Sequence, residues 1–331
     1  ELLALNTPGE AAERGGELHR AALAANRLAR TYAELVAQLL RDAQTGPESV
    51  LAIGAHGQTI RHRPGEFDGV GYTLQINAPA LLAELSGIDV VADVRGRDVA
   101  AGGQGAPLAP ILHQAIFGRP GETTAALNIG GISNLTVIPS GASAWGYDCG
   151  PGNALMDHWC AQHLGQPYDR DGAWAASGRM LQPLLEAALR EPYFALPPPK
   201  STGRDLFNPA WLERLLSALP QPPVPADVQA TLCELTAQCC AAGLKQHAGT
   251  ARELIVCGGG AYNGELMRRL AARLPGVKVA SSAEHGLPPL QVEAAAFAWL
   301  ARAHLHREPG NLVAATGARG PRVLGALYPF R

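Results

Sequence analysis

The sequence predicts an α/β fold with mixed sheets flanked by helices, and three observations lead there. Apolar runs of strand length alternate with amphipathic or alanine-rich stretches of helix length. Polar or glycine-marked loops follow three of those runs, around His56, Asp93 and Asp148, the repetition expected of a sheet whose loops converge on one cleft. At 331 residues, 47% of them hydrophobic, the chain is long enough for two domains with sizeable cores.

The elements follow in order. Leu18, Ala21, Ala22, Ala25, Leu28, Ala29, Tyr32, Leu35, Val36 and Leu39 recur every three or four residues, which predicts a helix over 17–44 with these residues on its apolar face. After Pro47, residues 49–54 read as a short buried strand and 55–62 as a polar loop. A turn at 67–71 leads to an alternating strand over 72–76; Pro79 then opens and Gly87 closes a helix. Residues 88–93 are strand again, 94–98 a charged loop, 102–107 a flexible connector and 110–117 a helix. Farther on, the runs 124–129 and 132–138 flank Gly130-Gly131 and read as a β-hairpin.

Gly146-Tyr147-Asp148-Cys149-Gly150-Pro151-Gly152-Asn153 is too rich in glycine and proline for the interior of a strand or helix. It predicts a strand-to-helix elbow, with Asn153 capping a helix over 154–164. A helix over about 227–247 turns Leu232, Leu235, Thr236, Cys239, Cys240 and Leu244 inward. The strand 253–257 opens into Gly258-Gly259-Gly260, and Asn263 caps a helix over 264–273. A last short strand covers 277–280, and an alanine-rich helix over 291–305 carries Glu293 on its first turn.

Composition narrows the function. A net charge of −2 favours neither nucleic acid nor an anionic membrane as partner. No apolar run approaches the roughly 20 residues of a membrane span, and no secretory signal is visible. The six cysteines form no CxxC pair, which argues against a zinc site and for reduced, buried thiols of a cytoplasmic protein.

Each motif carries two readings. Gly258-Gly259-Gly260 lets a phosphate or base approach bare backbone beside helix N–H groups, or it serves close strand–helix packing. It is neither a G-x-G-x-x-G fingerprint nor a P-loop. The hairpin from Asn128 to Asn134 wraps phosphates or is a plain tight turn. His56 and Gln58 bond a polar ligand or are surface groups. Asp93, Arg95, Arg97 and Asp98 meet a ligand or form an exposed salt-bridged loop, the second reading being favoured for Arg95. Asp89 reads as a structural charge, and Asp169 and Asp171 rigidify their own turn. Asp148 caps its turn through a side-chain to backbone bond or serves as a chemical base.

A glycine hairpin, an acidic Gly/Pro elbow and a distal triple glycine, in that order, resemble the sugar-kinase/Hsp70/actin superfamily. Within it, the chain resembles the anhydro-N-acetylmuramic acid kinase family. The residues carrying this are Gly54-Ala55-His56-Gly57-Gln58-Thr59, the run from Asp93 to Pro107, Leu127-Asn128-Ile129-Gly130-Gly131, Asp148-Cys149-Gly150-Pro151-Gly152-Asn153 and Val256-Cys257-Gly258-Gly259-Gly260. Lys200-Ser201-Thr202-Gly203-Arg204 and the Glu293 helix fit as well.

The resemblance implies a two-lobed actin-like ATPase (ribonuclease H-like) fold with a central cleft. Residues 1–120 would form the N-terminal lobe and 121–331 the C-terminal lobe with the glycine loops, its final helix packing back on the first lobe and the lobes closing on a hinge. It implies an ATP-dependent kinase, with Mg²⁺ on the nucleotide. Water opens 1,6-anhydro-N-acetylmuramic acid and O6 is phosphorylated, giving N-acetylmuramic acid 6-phosphate in peptidoglycan recycling. Asp148 matches the family's base. Gly130, Gly131, Asn134, Gly258, Gly259 and Gly260 fall to the nucleotide. His56, Gln58, Asp93, Arg97 and Glu293 fall to the sugar and its lactyl carboxylate, Arg97 because its fork pairs with a carboxylate. No residue is assigned to a metal. A cytoplasmic homodimer follows by the same resemblance, with neither nucleic acid nor membrane as partner. The alternatives are a kinase of another amino sugar and a non-catalytic nucleotide-binding protein. A dinucleotide oxidoreductase lacks the acidic residue expected after its glycines. The first residue is Glu1, and no stretch matches the strand and Gly-Thr-Ser-x-Asp-Gly loop with which the family opens. The expectation is therefore a sequence that begins inside the helical region following that loop.

Overall fold

The computed structural model describes Leu5 and residues 16–198, 200–203 and 206–331. Arg204 of the Lys200–Arg204 motif, Pro199 beside it and the expected start at Glu1 lie outside the described residues. The chain divides into two compact units, one of residues through Leu112 with Ala294–Arg331, the other His113–Glu293.

The first unit opens on a helix, Gly16–Asp42, which buries Ala21, Ala24, Ala25 and Ala29. This corrects the expected apolar face: Leu18, Leu35 and Leu39 are exposed. Small side chains let the neighbouring helix Pro79–Ser86 approach closely, and periodicity alone cannot say which of two apolar stripes that neighbour will choose. The strand expected over 49–54 shortens to β1 (Ile53–Gly54), because a 3₁₀ turn occupies Pro47–Ser49 and Leu51 is exposed. The polar loop expected over 55–62 is instead largely a strand, β2 (Gln58–Pro64), paired antiparallel with β3 (Gly71–Ile76). A two-stranded ribbon keeps both faces partly wet, so polarity did not forbid the strand. β4 (Val90–Ala92) lies between β1, to which it is parallel, and the C-terminal strand Ala326–Tyr328, to which it is antiparallel. The charged loop expected over 94–98 winds into a short helix, Gly96–Ala100.

The second unit is built on one mixed sheet. β5 (Thr124–Ile129), β6 (Ile132–Ile138), β7 (Trp145–Pro151), β8 (Glu253–Cys257) and β9 (Lys278–Ser281) lie in the order β7-β6-β5-β8-β9. β5, β8 and β9 run parallel, and β6 is antiparallel to both β5 and β7. The central strands β5 and β8 are buried almost throughout, as an apolar run at the middle of a helix-covered sheet should be. The helix Pro225–His247 covers the sheet and buries Leu232, Leu235, Thr236, Cys239, Cys240 and Leu244, the residues expected to face inward. All six cysteines are buried and free. The expected elbow needs one correction: the strand runs through Gly150 to Pro151 before the helix Ala154–Leu164 begins. β7 is an edge strand, where the missing proline N–H breaks no ladder.

Candidate functional site

In the second unit the sheet register gathers the polar side chains. Asn128 on β5 stands opposite Asn134 on β6 and Cys257 on β8, and Asn134 stands opposite Asp148 on β7. Directly opposed residues share a face, so Asp148, Asn134, Asn128 and Cys257 form one polar row across four strands. The Cys257 thiol donates to Asn128 Oδ1 at 3.8 Å. A register shift between β6 and β7, where Cys149 is passed over between the pairs Ser133–Gly150 and Asn134–Asp148, places Asn134 beside Asp148.

Asp148 is half-buried. Its Oδ2 accepts a hydrogen bond from the Thr202 N–H at 3.0 Å. Its own N–H donates to the Lys200 carbonyl at 3.2 Å, and its carbonyl accepts from Tyr193 Oη at 2.7 Å. Burial raises the pKa of its carboxyl above the ordinary aspartate value, and the Thr202 N–H partly offsets that.

The two glycine turns close on this row. The Gly130 carbonyl accepts from Asn153 N at 2.7 Å and that of Gly131 from Gly152 N at 3.0 Å, so the hairpin tip and the end of β7 form one block. Asn153 does not cap its helix as expected; its Nδ2 donates to the Ile129 carbonyl at 3.0 Å. Gly258 holds φ +77°, and an added Cβ would lie 2.5 Å from Asn128 Oδ1; both backbone conformation and close approach require glycine there. Gly260 is buried, and a Cβ on it would lie 2.5 Å from Ile129 Cβ, the close-packing reading carried for this motif. Gly259 has more room. It lines a cavity of 720 Å³ together with Asn153, Asp171, Tyr262, Asn263 and Leu290. Asn263 caps its helix, accepting from Leu266 N at 3.0 Å. Asp171 Oδ1 accepts from Gly264 N at 2.9 Å, reaching beyond its own turn, whereas Asp169 caps the following helix through Trp174 N and Ala175 N. Glu293 is exposed. Burial, and then the charge of Glu293, push the Cys257 thiol up to about 12, which puts Glu293 at the end of the row away from Asp148.

In the first unit, His56 follows β1 and Asp93 follows the parallel β4, so both stand at the same end of that sheet. His56 Nε2 accepts from Arg95 Nε at 3.1 Å, and its Nδ1 bonds the Gly57 carbonyl at 2.9 Å. The guanidinium can only donate, so the ring proton is assigned to Nδ1. Burial and the Arg95 charge bring His56 down to about 4, so at neutral pH the ring is uncharged. Its ring packs against Phe297 with centroids 4.8 Å apart. Asp93, at φ +53°, accepts from Gly96 N at 3.1 Å and caps the short helix. Arg97 is exposed, and its guanidinium meets no partner among the described residues. Gln58 is exposed, with its Nε2 donating to the Thr59 carbonyl.

Two residues of this loop depart from the exposed salt-bridged reading. Arg95 is half-buried, holding His56 and donating to the Gly105 carbonyl at 2.8 Å. Asp98 is fully buried and accepts from Gly105 N, Asn311 Nδ2 and Thr316 Oγ1 at 2.7, 2.6 and 2.8 Å.

The sequence reading also passed over Asn128, Cys257, Thr202 and Tyr193. A hairpin centred on Gly131 implies that Asn128 faces Asn134, so Asn128 was within reach of pattern reasoning. Thr202 and Tyr193 meet Asp148 only through tertiary contact.

The family model described as anhydro-N-acetylmuramic acid kinase matches residues 7–330. An anhydro-N-acetylmuramic acid kinase of Variovorax paradoxus (strain S110) is 64% identical over 337 residues, covering 99% of this chain and 88% of that protein. Proteins of the same name from Cupriavidus pinatubonensis (strain JMP 134 / LMG 1197) and Albidiferax ferrireducens (strain ATCC BAA-621 / DSM 15236 / T118) are 61% and 59% identical. They cover 98% and 99% of this chain and 86% and 88% of their own lengths.

Proposed function

Because the chain belongs to the anhydro-N-acetylmuramic acid kinase family, we propose that it is an ATP-dependent kinase of 1,6-anhydro-N-acetylmuramic acid that serves peptidoglycan recycling. Water adds to C1 as the C1–O6 bond breaks. The freed O6 takes the γ-phosphoryl group of ATP, and the products are N-acetylmuramic acid 6-phosphate and ADP. The attacking water must lose a proton, and Asp148 is the base that takes it.

One observation carries that role: a half-buried carboxylate is held through Oδ2 by a backbone N–H, leaving Oδ1 for the water. The raised pKa supports it, since a base works best when its pKa approaches the working pH. Nucleotide binding at Gly130, Gly131, Asn134 and Gly258 is supported by the polar row and the bare backbone of the two turns. The cavity beside Gly259, with Tyr262 and Leu290 on its wall, suits the nucleoside. Gly260 serves by shaping the loop against Ile129. Mg²⁺ arrives on the ATP phosphates, where it would offset the charge of the transferred group. Among the described residues no group of three or more His, Cys, Asp or Glu could hold a metal, and a phosphate-borne Mg²⁺ needs only one or two carboxylates.

His56, Gln58, Asp93, Arg97 and Glu293 are assigned to the sugar. The guanidinium of Arg97, without a partner among the described residues, suits the lactyl carboxylate, and the neutral His56 suits a sugar hydroxyl. Family membership further supports a cytoplasmic homodimer with two lobes, over 1–120 and 121–331 save that the C-terminal residues from Ala294 return to the first, and with neither nucleic acid nor membrane as partner. No helix among the described residues is long and apolar enough to cross a membrane.

The test measures ADP release with 1,6-anhydro-N-acetylmuramic acid, N-acetylglucosamine and glucose as acceptors. ADP should appear with the anhydro sugar alone, and Asp148→Asn should lower turnover by ~10²–10⁴-fold at an unchanged unfolding midpoint. Near-normal turnover in Asp148→Asn removes Asp148 as the base. ATP binding by calorimetry with no sugar-dependent ADP release would instead favour a non-catalytic nucleotide-binding protein.

A further inference from the structure

Asp148 lies on an edge strand, and its outer edge is covered by a segment that comprises the 3₁₀ turn Pro192–Ala195 and the irregular stretch around Lys200–Thr202. Three hydrogen bonds tie the two together, and contacts of Lys200 within the segment close the circuit. Tyr193 Oη donates to the Asp148 carbonyl at 2.7 Å. Lys200 Nζ donates to the carbonyls of Tyr193 and Phe194 at 3.1 and 3.3 Å, and sits 4.7 Å from the centroid of the Tyr193 ring. The Lys200 carbonyl accepts from the Asp148 N–H at 3.2 Å. Two residues on, the Thr202 N–H reaches Asp148 Oδ2. The Thr202 hydroxyl is itself buried and meets no partner among the described residues. That is a cost, so contacts other than its own hydroxyl hold Thr202 where it is.

We propose that Tyr193, Lys200 and Thr202 form a clamp that positions the Asp148 carboxylate, with Lys200 as its pin. The inference rests on the reading of Asp148 as the base. Lys200 makes none of its side-chain contacts to the carboxylate; its charge is spent on two carbonyls and the faces of Tyr193 and, at 5.8 Å, of Tyr147 on β7, and that fixes how far residues 200–202 stand from β7. With the pin in place, the Thr202 N–H holds one carboxylate oxygen and fixes the side-chain rotation, so the other oxygen points one way. A misplacement on the order of 1 Å at a reacting group can cost about 10²-fold, so the clamp controls turnover rather than substrate affinity.

The titratable groups around the carboxylate are Tyr193 on the covering segment and Cys149, which follows Asp148 on β7. Burial raises the pKa of Tyr193, and a hydrogen bond with Cys240 followed by burial raises that of Cys149, so both are neutral near neutral pH. The Thr202 N–H is the one contact favouring the charged carboxylate. If the pin is removed and that contact loosens, the acid limb of the pH profile must move to higher pH, because the base is then protonated more easily.

Lys200 borders a cavity of 110 Å³ beside Phe194 and Cys239, so methionine can replace it without crowding. The experiment uses the whole protein and compares wild type, Lys200→Met, Lys200→Arg, Tyr193→Phe and Asp148→Asn in the ADP-release assay across pH. Lys200→Met should lower kcat by about tenfold or more with KM for sugar and ATP within about twofold, and should move the acid limb of kcat/KM to higher pH. Lys200→Arg keeps donors for the carbonyls and should recover most of that loss. Tyr193→Phe should show the same pattern at smaller size, and it carries the test if Lys200→Met does not fold. Placed on Asp148→Asn, Lys200→Met should add no further loss. A Lys200→Met protein with wild-type kcat and acid limb, beside an inactive Asp148→Asn, overturns the clamp and leaves the base standing. An active Asp148→Asn protein overturns both.

Discussion

The two units bring polar groups to the ends of their strands by different means. In the first, loops after β1 and β4 hold one another: Arg95 fixes His56 and the Gly105 carbonyl, while Asp98 gathers Gly105, Asn311 and Thr316. In the second, the sheet itself does the placing, and Asp148, Asn134, Asn128 and Cys257 line up because their strands are in register. Loop groups that hold each other carry a structural duty beside any contact with the sugar, and of the first unit's sugar candidates Arg97 is the one that meets no partner among the described residues. A row set by register leaves its side chains free of that duty. Substitutions should therefore cost stability in the first unit and turnover or affinity in the second.

The sharpest way to break this contrast is within one loop. Asp98→Ala would leave a buried N–H, an amide and a hydroxyl without their acceptor, and should cost on the order of 3 kcal/mol or more in urea unfolding. Asp93→Ala, which removes only an exposed cap, should cost ~1 kcal/mol. Equal losses in the two would refute the division between anchoring and exposed acids. In the second unit, Gly258→Ala should leave the fold in place but weaken ATP binding about tenfold by calorimetry, since the left-handed conformation costs an alanine roughly 1–2 kcal/mol and Asn128 stands in the way. Unchanged ATP affinity there would detach the glycine turn from the nucleotide.

A smaller effect concerns pH. His56 and His113, the latter buried against Thr136 Oγ1, are both brought down from 6.5 to about 4. Between those values the unfolded chain binds protons that the folded chain refuses. Stability contributed by the neutral rings is therefore full above pH 6.5 and is lost progressively as pH falls toward 4. His56→Gln should make that fall shallower in chemical unfolding at successive pH values. An unchanged slope would mean that His56 is not held neutral by Arg95 and burial.

Local chemistry made much of the fold legible. The strands of the glycine hairpin, the helix Pro79–Ser86 with Gly87 at its end and the Asn263 cap depend on residues close together in sequence, and so did the α/β class with mixed sheets flanked by helices. Three misjudged stretches failed for one reason. Residues 58–62 looked like loop because the partner strand that makes a polar ribbon worthwhile lies outside the window. The first helix had two apolar stripes, and a neighbouring helix chose the alanine one. Asp98 looked exposed because its partners, Asn311 and Thr316, stand more than 200 residues away.

By itself, then, the sequence determined which residue types stand on or after which strands: the acid at 148, the glycines at 130–131 and 258–260, and the histidine and arginines of the first unit. Those follow from turn chemistry and hydrophobic period, which act over a few residues. Only the tertiary structure decided which of them meet. The register shift at Cys149 on β7 brought Asn134 beside Asp148, and a segment some fifty residues away supplied the N–H that holds its carboxylate. Register and long-range hydrogen bonds depend on how packed elements come together, and no local propensity encodes that.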